Sequence, residues 1–269
     1  MSRQKTVHFW KFQKIMGKLA WVCPLRRRFF SLLRNSYQLL QAHMSRDTKK
    51  QTKIGLKLAV REEFRDVWLL GQFLKAELRA EPCGSIFACD ASTEGWAIVD
   101  HPSGGGFIND TGLDESPFET VLLRHRTWRL RKQRRFKQRL DHCLSGEICA
   151  FRQACSIASR ENPGKDIIIY TDNSNVFFTV RKGRSGVYRL NALCRHVLLC
   201  EIVFNVRIHV RWCGTDSMPA DKYTRDANSV DPFKGPKSER PTKFRGHPTP
   251  KRGPARPPTT DRGSRTVLA

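Results

Sequence analysis

Residues 85–99 read Ser85-Ile86-Phe87-Ala88-Cys89-Asp90-Ala91-Ser92-Thr93-Glu94-Gly95-Trp96-Ala97-Ile98-Val99. Ser85–Cys89 is a short apolar run, the pattern of a strand buried on both faces. It ends on an acid, Asp90. Ala91–Gly95 then reads as a turn, and Trp96–Val99 as the hairpin partner. Pro82 and Gly84 break the pattern before this unit, and Pro102 with Gly104–Gly106 closes it.

The same grammar continues downstream. Ser145–Arg160 reads as a helix on which Phe151, Ala154 and Ala158 share a face with Glu147. Asn162-Pro163-Gly164 stops it. Ile167-Ile168-Ile169-Tyr170 is a β-branched strand that runs into Asp172. A short helix to Gly183 follows. Leu190, Leu193, Cys194 and Val197 mark another helix. Val206, Ile208, Val210 and Trp212 alternate with Arg207, His209 and Arg211, which predicts a half-buried strand. Pro219-Ala220-Asp221 reads as a helix start, with proline at the first helical position. Strands alternating with helices place the chain in the α/β class.

Upstream, residues 1–53 are basic and helix-compatible, with Phe29, Leu32, Leu33, Leu39 and Leu40 as apolar anchors. Over residues 54–80, Val60, Phe64, Val67, Leu74 and Leu78 form a helical stripe that core packing explains. Residues 107–120 are loop-like. Val121–Leu123 and Trp128–Leu130 are the candidates for a third strand. Residues 121–139 hold nine cations and no acid. Such a run is either a solvated face or a nucleic-acid contact. Residues 231–269 hold eight of the 14 prolines and many Lys and Arg, so a disordered basic tail is expected. The expected division is a helical segment over 1–80, an α/β domain over 84–228 with a basic insertion at about 107–140, and a tail over 229–269.

Charge narrows the function. The 269 residues carry 49 Lys+Arg against 25 Asp+Glu, a formal charge of +24. A hydrophobic content of 39% excludes full disorder. The cationic excess predicts a polyanionic partner, nucleic acid before an acidic membrane surface. No apolar run approaches the roughly 20 residues of a spanning helix; Glu201 and Asn205 break the one near Val197–Val206. The acid-free first 46 residues allow a transit-peptide reading. Their aromatics and the triple Arg26–Arg28 fit a folded or nucleic-acid-contacting segment better. The nine cysteines include no C-x-x-C pair, which argues against zinc ribbons and knuckles. Reduced, mostly buried thiols in an intracellular protein, nuclear or cytoplasmic, are expected.

Four acids stand out. Singly, each has an ordinary explanation: Asp90 as a turn residue, Glu147 and Asp221 as helix-start charges, Asp172 as a helix cap. Together they form a pattern. Asp90 and Asp172 both end apolar strands, and Glu147 sits on the apolar side of its helix, where an unpaired carboxylate is costly. If the two strands are neighbours, the acids converge. Such a cluster takes up protons unless a multivalent cation neutralises it. Oxygen-only donors suit Mg²⁺ or Mn²⁺, and two such ions about 4 Å apart can serve phosphodiester cleavage.

Four stretches now carry a resemblance: IFACDASTEGWAI (86–98), LSGEICAFRQA (144–154), IIIYTDNSNV (167–176) and VRWCGTDSMPADKYTR (210–225). In this order they resemble the type 1 ribonuclease H domain that follows the polymerase in retroelement reverse transcriptases. GKLAWVCPLRRRFFSLLRNSYQLL (17–40) and EEFRDVWLLGQFL (62–74) resemble the thumb-to-connection end of such enzymes, closest to tyrosine-recombinase-type retrotransposons. The resemblance covers about residues 14–225.

What it implies is a ribonuclease H-like mixed five-stranded sheet with flanking helices, preceded by a helical segment. It also implies a two-ion Mg²⁺ or Mn²⁺ site on Asp90, Glu147, Asp172 and Asp221. Asp90 would bridge both ions, and Glu147 would face the RNA 2′-hydroxyl. The implied partner is an RNA–DNA hybrid, cut on its RNA strand to leave a 3′-hydroxyl and a 5′-phosphate. Arg131, Lys132, Arg134 and Arg135, with Asn173 and Asn175, are the candidate nucleic-acid contacts. The polymerase palm is absent, so DNA synthesis by this chain alone is not expected. The Asp90–Glu147 interval is long for the family. The histidine that many members carry before the last aspartate is missing between Trp212 and Asp221. The alternative reading is a catalytically decayed nucleic-acid-binding remnant. An integrase or transposase would place its glutamate last, and here the glutamate comes second.

Overall fold

A computed structural model describes residues 5–45, 49, 51–74, 80–102, 127–140 and 142–225. The expected 107–120 loop, the Val121–Leu123 strand candidate, Leu78 and the 229–269 tail lie outside the described residues.

The hairpin predicted over 85–99 forms as β3 (Pro82–Ala91) and β4 (Gly95–Pro102), antiparallel, with Cys89 opposite Ile98. The isoleucine run becomes β6 (Asp166–Thr171), parallel to β3, with Phe87 opposite Ile169 and Ala88 opposite Tyr170. The alternating segment is β7 (Arg207–Trp212), parallel to β6. With β5 (Arg129–Arg135) the sheet order is β5-β4-β3-β6-β7. This is the ribonuclease H-like mixed five-stranded sheet, with helices α4 (Cys143–Glu161), α5 (Ser174–Lys182) and α6 (Tyr188–Val203) flanking it.

Burial follows the pleat. Phe87, Cys89, Ile167, Ile169, Ile208 and Val210 pack with Phe151, Ala154, Ala158, Leu193 and Val197 of the helices. Ile86, Ala88, Ile168 and Tyr170 alternate to the other face, where Trp128, Met218 and Ala220 cover them. Both faces of β3 and β6 are therefore dry, which is why their sequences are continuous apolar runs.

The basic stretch behaves differently from expectation. Its second half belongs to the sheet: Arg129–Arg135 overlaps the Trp128–Leu130 strand candidate and extends it, pairing Trp96 with Arg134 and Ile98 with Lys132. All seven of its residues are exposed. An edge strand with both faces in water has no apolar alternation to read, and its cations discourage pairing with other strands. The last helix also starts later than expected. It is α7 (Asp221–Arg225), so Pro219 stands two residues ahead of it.

The N-terminal segment folds as β1 (Thr6–His8) paired with β2 (Lys53–Gly55), and helices α1 (Phe9–Val22), α2 (Arg34–Met44) and α3 (Leu58–Leu70). Phe12, Met16, Phe29, Leu33, Val60 and Phe64 form its core, and Leu198 of α6 joins them. Buried Glu63 accepts from the backbone N–H groups of Asn35 and Ser36 at 2.7 and 2.8 Å, capping α2 from another element. Met1–Asp231 form one compact unit. Polar ties add to the apolar Leu198 contact at the seam between its two parts. Arg28 pairs with Glu201 at 3.1 Å and donates to Ile208 O at 2.7 Å, and Asn191 donates to Ser31 O at 2.8 Å.

Candidate metal and active site

Asp90 is the penultimate residue of β3, and Asp172 follows β6 directly. The register Ala88↔Tyr170, carried two residues on, sets them level at the carboxyl ends of the two central strands. Carboxyl ends of parallel strands are where such sheets place ligands. Glu147 reaches the same point from the first turns of α4. Among the described residues, Asp90, Glu147 and Asp172 are the group that brings one carboxylate oxygen each within 4.8 Å of the others.

Gly146 makes this approach physical. A Cβ at Gly146 would stand 3.0 Å from Ser92 O and 3.1 Å from the Ala91 Cβ. The helix therefore rests directly on the β3–β4 turn, and Glu147 arrives beside Asp90. The apolar-face reading of Glu147 corresponds to a side chain that is 6% exposed.

The charges conflict. Burial pushes the Glu147 carboxyl up to about 9, and the Asp90 and Asp172 charges add to it. Burial pushes Asp90 up to about 6; the Thr224 hydroxyl opposes this, while Asp172 and Asp221 reinforce it. Glu147 Oε2 is buried with no hydrogen-bond partner. Buried polar atoms normally have partners, so an orphaned carboxylate oxygen inside an acid cluster marks a place for a cation. Three hard oxygen donors fit Mg²⁺ or Mn²⁺. The cluster can hold a divalent ion; the kind of ion follows from donor chemistry alone.

Asp221 opens α7 and is half-buried. It is close enough to Asp90 to raise its pKa, but it is not part of the three-acid cluster. Its helix is tied to the site through a residue the sequence reading gave no role. Thr224, 4% exposed, donates to Asp90 Oδ2 at 2.6 Å, and its hydroxyl also lies 2.9 Å from Asp221 O. The signal was present: Thr224 is the threonine three residues after Asp221 in the quoted PADKYTR stretch. Trp212 was expected on the buried side of β7. It is instead 39% exposed, and its indole N–H donates to Asp172 O at 2.9 Å, bracing the strand end.

The predicted nucleic-acid contacts separate. Asn173 is the N-cap of α5, its Oδ1 accepting from Val176 N at 3.1 Å, so its side chain serves the helix. Asn175 is exposed on α5. Arg131 is spent on Glu161, at 2.6 and 2.7 Å, and on Asp100 at 3.4 Å. Lys132 lies over the Trp96 ring at 5.8 Å. Arg134 and Arg135 stand opposite Trp96 and Gly95, next to the turn that follows β3.

No family model matches the chain, and no curated protein matches it. Among solved structures, it is similar to the N-terminal RNase H domain of a Mycobacterium tuberculosis protein fused to maltose-binding protein. That match has a TM-score of 0.35 and 9% identity over 53% of this chain and 95% of that one. RNase H1 from the halophilic archaeon Halobacterium salinarum matches with TM-score 0.34, 11% identity, and 53% and 96% coverage. The prototype foamy virus protease-reverse transcriptase matches with TM-score 0.34 and 13% identity over 59% of this chain and 24% of that one. The fold class rests on the strand order and register given above. This is an α/β chain with a ribonuclease H-like sheet and an acid cluster at the ends of its central strands. Among the described residues no helix is long and apolar enough to cross a membrane.

Proposed function

We propose that the chain is a retroelement-derived ribonuclease H that hydrolyses the RNA strand of RNA–DNA hybrids with two divalent ions, Mg²⁺ or Mn²⁺. The observation that carries this is the buried, unpartnered Glu147 Oε2 within a group of three carboxylates. An acid cluster kept only for structure would pair that oxygen or replace it.

Asp90, Glu147 and Asp172 would hold the ions, with Asp221 completing the set from α7. Bound there, divalent ions would supply an activated water and neutralise charge at the scissile phosphate. The chain's own residues do the positioning. Thr224 fixes the Asp90 carboxylate, Gly146 lets α4 bring Glu147 in, and Trp212 braces the Asp172 backbone. Arg134 and Arg135 at the site end of β5 favour a phosphate backbone without reading sequence. Glu147, which reaches the group from α4, would face the 2′-hydroxyl that separates RNA from DNA.

The test is a hybrid labelled on its RNA strand, incubated with the full chain in Mg²⁺ or in EDTA. Mg²⁺-dependent RNA cleavage, with a DNA duplex left intact, is the expected result. Salt-sensitive binding with no cleavage in Mg²⁺ or Mn²⁺ would replace this reading with that of a binding remnant.

A further inference from the structure

A second basic surface lies where the N-terminal segment meets the sheet domain. Helix α2 and the 183–187 loop enclose an open groove of about 500 Å³. The cations Arg34, Lys182 and Arg184 line it with Tyr37 and the apolar Leu40 and Met44; Gln41 adds an amide, and among the described residues no acid does. The groove is held open by fixed contacts. Arg34 donates from Nε and Nη2 to Gly186 O at 3.1 and 2.8 Å, pinning the loop to α2. The Arg184 guanidinium lies 4.2 Å over the Tyr37 ring and 5.6 Å from Phe30. Stacking orders this long cation at its site, which lowers the entropy lost when it meets a phosphate.

Helix α5 links the groove to the acid cluster. Helix α5 starts beside Asp172 and ends at Lys182, on the groove. Asn175, Phe178 and Lys182 fall at i, i+3 and i+7, and all three are exposed, Phe178 at 62%. One helix face thus carries an amide, an aromatic and a cation in line from the site to the groove. Nine residues of helix span about 13 Å, several nucleotides' worth of backbone contact at most.

We infer that this stripe and groove form a track for a nucleic-acid strand leading away from the acid cluster, with Lys182 and Arg184 on its phosphates and Phe178 against its sugar or base. Its occupant is nucleic acid because every charged side chain in the lining is a cation, set beside the Tyr37 ring, on a chain of formal charge +24. The inference rests on the hybrid-cleaving reading for its direction, since it assigns where the same substrate continues.

The experiment measures hybrid affinity against salt in the full chain carrying Asp172→Asn, which keeps the hybrid whole. Lys182→Gln is compared with that parent, as is Gln41→Glu, which sets an exposed carboxylate in the groove without touching its packing. The track predicts a salt slope shallower by about 0.9 for Lys182→Gln, one phosphate contact, and several-fold weaker binding for Gln41→Glu. Unchanged slope and affinity in both folded variants overturn it. So does weakened binding of polyglutamate with hybrid affinity unchanged, which would assign the groove to an acidic protein. Cleavage by the unmodified chain tests the acid site separately, so either reading can fail alone.

Discussion

Thr224 donates its hydroxyl to Asp90 Oδ2 at 2.6 Å, joining helix α7 to strand β3. Both groups are buried, and removal of the hydroxyl leaves Asp90 to settle in another orientation. Thr224→Val is therefore expected to lower Mg²⁺-dependent hybrid cleavage by roughly 10- to 100-fold, the usual cost of losing a group that orients a ligand. Thr224→Ser keeps the donor and is expected to keep most of the rate. Steady-state rates across a Mg²⁺ titration check this; equal losses in both variants would reduce Thr224 to a packing residue.

Gly146 sits where α4 touches the β3–β4 turn. Alanine there gains about 1 kcal/mol of helix propensity but must fit 3.0 Å from a backbone carbonyl. Overpacking against backbone costs about 1–3 kcal/mol, so the steric term wins. Gly146→Ala is expected to lower stability in urea unfolding and to depress cleavage further by moving Glu147. A stability gain would show that α4 is free to slide.

How much of this was legible in sequence depends on where the information lies. The strands β3 and β6 are buried on both faces, so their apolar runs announced them, and the acids that end them were readable as a pair. Glu147 was readable because its helix stripe placed a carboxylate among Phe151, Ala154 and Ala158. The strand β5 was readable only at its start, in the Trp128–Leu130 candidate, because an exposed edge strand of arginines has no periodicity of burial to extend it. Gly146 and Thr224 were visible as letters but not as contacts. Their roles depend on neighbours about 50 and 130 residues away, which no local pattern encodes.

The same holds for the seam between the N-terminal segment and the sheet domain. Gly183 closes α5 with φ of +77°, and a Cβ there would overlap the Arg27 carbonyl. Left-handed strain and the clash act together, so Gly183→Ala is expected to cost roughly 3 kcal/mol or more. Chemical denaturation of the full chain measures it. A cost under about 1 kcal/mol would mean that the two parts do not interlock at this point.

The acid cluster makes a pH prediction with a definite sign. Asp90 is pushed up to about 6 and Glu147 to about 9, both above their unfolded values. The protonated forms favour the fold. The stability they contribute is present below the ordinary carboxylate range and is lost as pH rises through about 6 and then about 9. Without divalent ions, the chain is expected to lose stability from this cluster between pH 5 and 8, and Glu147→Gln is expected to flatten that loss. Mn²⁺ is expected to raise the melting temperature more at pH 8 than at pH 5. Thermal melts of both chains with and without Mn²⁺ check the sign.

The most direct measurement compares RNA-strand cleavage of a hybrid by the unmodified chain and by Asp172→Asn, with circular dichroism showing both folded. The account predicts Mg²⁺-dependent cleavage by the first and none above background by the second. Equal cleavage by the two would contradict it.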